Sequence, residues 1–255
     1  MSNDLITSQK YPILAPGSRE AQILAANLGD SQVFESDLTL VKMPTGGATE
    51  FTYERPDGKT VSTDTIEGVL VATAGRGVLW PTREMGDQRP LVVTHDLKVG
   101  HKVGDDFGDI APETLDKFLN EDGTYDWAAM SNSAEFGFGS AGRGKRVKES
   151  QIIAILQPGE TWPVLLRITG GSLTVWSKFR KMLPCLPHEA VVSFRLEKTK
   201  NMGGQTFSRI KPALVDQLSI EEGEVVNRLY SESLTAMLTR APGSGAPGGD
   251  EEVPF

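Results

Sequence analysis

The stretch EAVVSFRLEKTKNMGGQTFSRIKPALV, residues 189–215, decides the fold. It contains two runs rich in β-branched and aromatic residues, the composition that pleated, half-buried strands favour. The sequence Asn-Met-Gly-Gly at 201–204 separates the runs, and short glycine-containing connections are typical of β-hairpins. The stretch therefore predicts a hairpin of two long antiparallel strands.

Alternation within these two runs predicts which side chains face the core. Successive side chains on a strand point to opposite faces of a sheet. Phe194 lies between a valine and a leucine two positions away on either side, so we expect Phe194 to be buried and Arg195 to face the other way. In the second run Phe207 shares a face with Arg209. The pattern predicts one apolar face and one basic face that also carries an aromatic ring.

Further strands are predicted on both sides of a central insertion. Residues 50–81 contain two extended runs around a Pro-Asp-Gly turn at 56–58, followed by a third run. Residues 150–157 and 162–169 form another pair around a Pro-Gly-Glu turn. No regular strand–helix–strand alternation of the dinucleotide-binding type is present. Six or seven strands joined by tight turns predict an α+β fold with an OB-like small β-barrel.

The predicted organisation has three parts. They are an N-terminal arm over 1–46, an OB-like body over 47–238 and a flexible tail over 239–255. The body contains an acidic, Gly-rich insertion over about 96–142 and ends in a helix over 219–238.

Serine residues mark the expected starts of the helices. Ser18 is expected to cap a short helix in the arm, and Ser172 a helix that connects two strands. Ser219 and Glu222 have capping-box spacing at the start of the C-terminal helix. The insertion is expected to contain at most one short helix, over 112–120, with proline in its first turn.

The composition predicts a cytoplasmic protein with no metal or other cofactor. The single cysteine, Cys185, excludes an intrachain disulfide. One cysteine and three scattered histidines do not supply an ordinary zinc site. No apolar run approaches the length of about 18 residues that a membrane span needs, and the N-terminal sequence does not read as a signal peptide.

Positive charge is concentrated in one part of an acidic chain. The net charge is −8, yet residues 140–211 contain thirteen basic and four acidic residues. Such an asymmetry favours a polyanion-binding face. The alternative is that the basic residues occupy the solvent faces of several strands.

Aromatic residues are interleaved with these cations, as single-strand binding requires. Bases stack on aromatic rings while cations follow the phosphates. The predicted DNA-binding residues are Arg143, Lys145, Arg146, Lys148, Trp176, Lys178, Arg180, Lys181, Arg195, Lys198, Lys200, Phe207, Arg209 and Lys211.

No pattern in the chain favours an enzyme. Residues 139–145 have the spacing of a phosphate-binding loop, but Arg146 stands where that loop needs serine or threonine, and a strand-like run follows where a helix is needed. The acidic residues Asp105, Asp106 and Asp109 fit a solvated loop better than a metal-dependent nuclease.

The tail PGSGAPGGDEEVPF, residues 242–255, combines a tether with a peptide ligand. Its Gly/Pro run has the composition of a flexible linker. A ring for a pocket, a free carboxylate and acidic residues for a basic rim follow the linker. The predicted partner-binding tip comprises Asp250, Glu251, Glu252, Val253, Pro254 and Phe255.

This tip resembles the C-terminal end of bacterial single-stranded DNA-binding proteins, which finish with several acidic residues, an aliphatic residue and Pro-Phe. The resemblance implies an OB-fold body that binds single strands in the cytoplasm of a bacterial host cell. It also implies a tip that recruits replication, repair and recombination proteins, with Pro254 and Phe255 as its anchors.

The body resembles more closely the divergent proteins of this kind that bacteriophages and other mobile elements encode. It is longer than the usual OB domain of that family. Some phage-encoded forms have cysteines in the region matching 92–148, whereas this chain has none there. A metal site is therefore not expected, and homo-oligomerisation is left open.

Three other functions are considered. A strand-annealing recombination protein has the same ingredients. An adaptor or inhibitor would use the tip to occupy host partners without binding DNA, although the basic excess argues against it. A metal-dependent nuclease would depend on the carboxylates at 105–109.

Overall fold

The structure is a computed structural model of the 255-residue chain. It describes residues 7–8, 11–12, 18–19, 21–23, 26, 35–55, 58–82, 89–140, 144–201 and 203–240. The predicted tip at 250–255, most of its linker and the predicted DNA-binding residue Arg143 lie outside the described residues.

The described strands outnumber the helices. The strands are β1 (Thr7–Ser8), β2 (Tyr11–Pro12), β3 (Leu40–Lys42), β4 (Phe51–Glu54), β5 (Thr60–Thr63), β6 (Thr65–Leu79), β7 (Val92–Thr94), β8 (Val99–Lys102), β9 (Tyr125–Asp126), β10 (Lys148–Leu156), β11 (Val164–Thr169), β12 (Ala190–Lys200) and β13 (Thr206–Gln217). The α-helices are α1 (Pro112–Asp116), α2 (Trp127–Asn132), α3 (Gly171–Lys181), α4 (Ile220–Val226) and α5 (Glu232–Thr239).

The chain divides into two compact units. The first combines Met1–Ala74 with Ser150–Leu238, and the second combines Gly75–Glu149 with the segment that begins at Thr239. The second unit thus contains the predicted insertion and extends beyond it on both sides.

The first unit contains the predicted hairpin and a sheet with the strand order β13-β12-β6-β10-β11-β3. β12 is antiparallel to both β13 and β6, and β11 is antiparallel to β10 and parallel to β3. The ribbon β4–β5 is a separate antiparallel pair. The pairs predicted around residues 56–58 and 158–160, and the hairpin over 189–215, are therefore confirmed.

The described strand pairings do not close a barrel. β3 and β13 stand at the two ends of the order and do not pair with each other. What the structure shows is a mixed α+β fold with a large sheet and a few short helices.

The first unit has an apolar core on each face of its sheet, because alternate residues point to opposite sides. Phe194 of β12 belongs to the core that α3 covers, and Trp176 of that helix is fully buried in it. Val191, on the other face of β12, belongs to the core that α4 and α5 cover through Val225 and Leu234. The two faces are therefore filled by different helices.

The start of α3 differs from the sequence prediction. Gly170, with φ of 55°, precedes the helix, and Ser172 lies inside its first turn. The Ser172 Oγ accepts a hydrogen bond from the Ile210 N–H at 3.1 Å. Gly170 occupies the N-cap position, because glycine tolerates the positive φ there. Ser172 connects the helix to β13 and does not cap it.

The C-terminal helix begins as predicted. The Ser219 Oγ accepts from the Glu222 N–H at 3.2 Å, and the Glu222 carboxylate accepts from the Ser219 N–H at 2.8 Å. A π-helical turn at Asn227–Ser231 separates α4 from α5, so the predicted helix over 219–238 is interrupted. In the arm, the Ser18 Oγ accepts from the Ala21 N–H at 3.1 Å, which confirms that N-cap.

The second unit is more ordered than its composition predicts. The end of β6 pairs with β7, β7 with β8, and β8 with β9. It contains two α-helices, so the expectation of at most one is wrong. The second helix, α2, is stabilised by the Asp126 carboxylate, which caps it, and by Trp127, which is fully buried in the core of this unit.

Candidate nucleic-acid interface

The β12–β13 register places six side chains on one face of the hairpin. Arg195 lies opposite Lys211, Glu197 opposite Arg209, and Thr199 opposite Phe207. Directly opposite residues in an antiparallel pair share a face. We call these six residues the hairpin surface. The predicted division between a buried Phe194 and an outward Arg195 is confirmed, since Phe194 is fully buried and Arg195 is exposed.

The hairpin surface carries an excess of positive charge. Its three cations face one carboxylate, and that carboxylate, Glu197, pairs with Arg209 at 2.7 Å from Nε. Arg195 donates from Nε to the Thr65 hydroxyl at 3.2 Å, and Lys211 is exposed. Among the described residues neither Arg195 nor Lys211 has an ion pair. Two uncompensated charges are therefore available to an anion.

Phe207 lies half-buried at the edge of this surface. A Cβ placed on Gly171 would come within 3.3 Å of the Phe207 ring. The ring thus rests against the start of α3, which fixes its position, while part of it stays accessible. A ring held in this way beside cations has the arrangement that single-strand binders use for stacking.

Lys198 and Lys200 lie on the opposite side of the hairpin from Arg195. Lys198 is opposite Ser208, whose hydroxyl donates to the Ala48 carbonyl at 2.7 Å. The connection between β3 and β4 therefore packs on this side, and a Cβ on Gly47 would lie 3.0 Å from the Lys198 side chain. Both lysines remain exposed near the tip.

The cations of α3 are exposed at its C-terminal end. Lys178, Arg180 and Lys181 form no ion pair among the described residues, although Arg180 donates to the Thr73 hydroxyl at 3.3 Å. Cations at a helix C-terminus are favoured by the helix dipole. The helix dipole alone therefore accounts for the position of these cations, so their position does not by itself indicate a ligand.

Trp176 does not face solvent. Its side chain is 1% exposed, and its ring centroid lies 5.8 Å from that of Phe179 and 5.6 Å from that of Phe194. No ring face is open to a base, so the predicted DNA contact of Trp176 is wrong. The helical spacing placed the ring on one side of α3 but did not show that this side meets the sheet.

Two predicted cations of the second unit are neutralised within the fold. Lys145 Nζ donates to the Ser131 hydroxyl at 2.8 Å and to the Glu149 carboxylate at 3.0 Å. Arg146 pairs with the Asp109 carboxylate and donates to the Pro81 carbonyl at 2.8 Å. Lys148, by contrast, is exposed. Lys145 and Arg146 therefore position the backbone here, whereas the Lys148 ammonium donates only to the Lys145 carbonyl, at 3.0 Å, among the described residues.

Glu149 is the centre of a buried polar network in the second unit. Its carboxylate also accepts from Ser131 Oγ at 2.6 Å and from Trp127 Nε1 at 3.2 Å. Burial alone raises the pKa of Glu149, but these hydrogen bonds and the charge of Lys145 outweigh it and hold the pKa below the ordinary value. The carboxylate is thus stabilised in its charged form.

Two exposed aromatic residues were not among the predicted contacts. The side chain of Phe138 is 82% exposed and that of Trp162 is 38% exposed. Phe138 stands between two glycines in a loop that leads into Lys145 and Arg146. A sequence signal for Phe138 was present, since an aromatic residue stands between two glycines and basic residues follow.

Each of the acidic residues Asp105, Asp106 and Asp109 has a partner within the protein. Asp105 pairs with Lys102 at 3.2 Å, the Asp106 carboxylate accepts from the Gly108 N–H at 2.8 Å, and Asp109 pairs with Arg146. Within the described part of the chain, no three His, Cys, Asp or Glu residues are placed to hold a metal ion. In that same part, no helix is long and apolar enough to cross a membrane.

Comparisons with protein-family models, with curated proteins and with solved structures gave no match. A function must therefore be inferred from the residues themselves.

Proposed function

We propose that this protein binds single-stranded DNA without marked sequence preference and has no catalytic activity. The observation that carries the proposal is the hairpin surface, where Arg195 and Lys211 lie side by side and Phe207 lies on the same face. The cations supply phosphate contacts and the ring supplies a stacking face. No base-reading side chains are needed for binding of this kind.

We further propose that the first unit is an OB-like barrel left partly open. β6 pairs with both β10 and β12, β11 follows β10, β13 follows β12, and α3 connects β11 to β12. These neighbours are those of the five strands in an OB-fold, which is a partly open Greek-key barrel. In this correspondence the β12–β13 tip is the loop between the fourth and fifth strands, one of the segments through which OB-folds bind oligonucleotides.

One OB-type binding region is not free in this chain. The face formed by the second and third strands corresponds to β10 and β11. Here Ile152, Ala154 and Leu165 of those strands contribute to the core that α4 and α5 cover. Arg195 and Lys211 of the hairpin surface are exposed, and no described helix covers them. Their exposure supports the proposal that binding is concentrated there.

We propose that the tip at 250–255 recruits partner proteins of replication, recombination and repair, as its resemblance implies. Its acidic residues would approach a basic rim, and the Phe255 ring would enter a pocket. The protein would then combine a DNA-binding body with a peptide ligand that a flexible linker tethers to it. An origin in a phage or another mobile element belongs to the same proposal.

The deciding experiment is a titration by fluorescence anisotropy. Labelled oligo(dT) and a duplex of equal length are titrated with the full chain at low and at high salt. We expect tighter binding to the single strand and a steep loss of affinity with salt. Equal affinity for both DNAs at low salt would contradict the proposal. Absence of binding to either would favour an adaptor that uses only its tip.

A further inference from the structure

We propose that Phe138 stacks on a base of single-stranded DNA and gives the second unit a nucleic-acid contact of its own. The inference rests on the proposed function and adds a residue of the second unit to it. Among the described large apolar side chains Phe138 is the most exposed, at 82%. Phenylalanine is among the residue types most often buried, so an exposure this high needs an explanation in the local structure.

The backbone on both sides of Phe138 requires glycine. A Cβ on Gly137 would lie 2.3 Å from the Ser133 carbonyl oxygen, a distance at which one of the two groups must move. Gly139 has φ of 93°, a conformation that other residues rarely adopt. The two glycines thus hold the backbone in a shape that turns the phenylalanine side chain away from the core of its unit.

The loop that carries Phe138 is held by hydrogen bonds at its base. The Gly137 N–H donates to the Ser133 carbonyl at 2.8 Å and the Gly139 N–H to the Gly144 carbonyl at 3.0 Å. The Ser140 hydroxyl donates to the Gly137 carbonyl at 2.6 Å. These bonds fix the segment that presents the ring, so binding does not require the segment to become ordered first.

Lys145 fixes the segment that returns from this loop. It is paired across from Phe138 in an antiparallel bridge, so both side chains start from the same face. Its ammonium group is held by Ser131 and Glu149, at 2.8 and 3.0 Å. Lys145 is therefore a positioning residue that keeps the backbone opposite Phe138 in place.

The charge around the ring favours a nucleic acid over a protein as the occupant. Of the cations that follow Phe138, Lys145 and Arg146 are paired with carboxylates, whereas Lys148 forms no ion pair among the described residues. Lys148 is exposed, and its ammonium group donates to the Lys145 carbonyl at 3.0 Å. An exposed ring and a cation without a carboxylate partner in one segment are the two groups that bind a nucleotide of a single strand, by stacking and by charge.

The test compares wild type with Phe138→Ala, Phe138→Leu and Phe138→Trp on two ligands. One is oligo(dT), and the other is an abasic strand of equal length and charge. We expect Phe138→Ala to weaken oligo(dT) binding about fivefold to 150-fold, the effect of losing one stacked base. Phe138→Leu should behave like alanine because it lacks a π face, whereas Phe138→Trp should retain affinity. Affinity for the abasic strand should be unchanged in all three.

A matched control and a separate readout keep the result interpretable. Ile220→Ala removes another exposed side chain, 67% exposed at the start of α4, and should leave both affinities unchanged. Thermal unfolding of Phe138→Ala should match wild type because the ring is exposed. The inference is overturned if wild type binds oligo(dT) and Phe138→Ala binds it equally well, or if Phe138→Ala weakens both ligands alike. Failure of wild type to bind oligo(dT) overturns the proposed function itself.

Discussion

At the scale of single residues, the opposite roles of Glu197 and Lys211 provide a test of the hairpin surface. Arg195→Ala and Lys211→Ala each remove an uncompensated cation, so each should reduce affinity for oligo(dT). The plot of log affinity against log salt concentration has a negative slope, and each lost phosphate contact should reduce its magnitude by about 0.7. Glu197→Gln should instead raise affinity, because it frees Arg209 from its ion pair. Anisotropy titrations at several salt concentrations measure both quantities.

Arg228→Ala is the matched control for these variants. Arg228 is an exposed cation in the π-helical turn and lies outside the hairpin surface. Its removal should change neither the affinity nor the salt slope. If Arg228→Ala and Lys211→Ala had the same effect, the binding would depend on overall charge and the hairpin surface would have no special role.

Glu149 predicts an acid-sensitive contribution to stability. Its pKa is lower in the folded state than in the unfolded state, so its contribution is present above the ordinary glutamate pKa and is lost as the pH falls through the lowered value. The difference in free energy of unfolding between wild type and Glu149→Gln should therefore shrink on acidification. Urea denaturation at stepped pH measures it. Glu121→Gln, at an exposed position of the same unit, serves as control. If the difference in free energy of unfolding between wild type and Glu149→Gln did not change with pH, the prediction would be contradicted.

Residue patterns predicted the faces of the strands but not the environment of Trp176. Alternation placed Phe194 inside and Arg195 outside because a strand has only two faces. A helix such as α3 offers a continuous range of directions, and which one meets the sheet depends on tertiary packing. Phe138 was missed because exposure of an aromatic ring in a loop depends on backbone shape that glycine permits but does not specify.

At the scale of elements, the C-terminal helix cap has a measurable role. The Ser219 side chain satisfies the Glu222 N–H, while the Glu222 carboxylate returns a bond to Ser219. Ser219→Ala should lower the free energy of unfolding by about 1 kcal/mol, the usual cost of losing an N-cap. Chemical denaturation measures this loss. Ser219→Asp should retain most of the stability, and an equal loss in both variants would show that the cap contributes little.

The hairpins and the caps at Ser18 and Ser219 were predictable because their signals are local. Turn residues at 56–58, 158–160 and 201–204 each join two strands that are adjacent in sequence. The pairing of β6 with β12 joins residues far apart in the chain, with Thr65 opposite Arg195. No local pattern encodes such a partner, so the strand order was not available from the sequence. The interior of the second unit escaped prediction for the same reason.

At the scale of the whole molecule, the tip and the binding body should be separable. Deleting residues 250–255 removes three acidic side chains. Affinity for oligo(dT) should stay equal or rise, because like charges compete with phosphates. Capture of partner proteins should be lost. Titration and pull-down of the full and shortened chains measure the two effects, and weaker DNA binding by the shortened chain would contradict this division of roles.

The contact between Ser172 and Ile210 has a consequence for self-association. β13 pairs only with β12 among the described strands, and such an edge offers backbone donors to any other extended chain. Ser172 occupies the Ile210 donor on that edge, and Pro212, two residues further along, has no N–H at all. Two successive docking points for an incoming strand are thus absent. The edge of the strand that carries Arg209 and Lys211 is therefore protected from edge-to-edge aggregation, so a second chain is not expected to cover these cations.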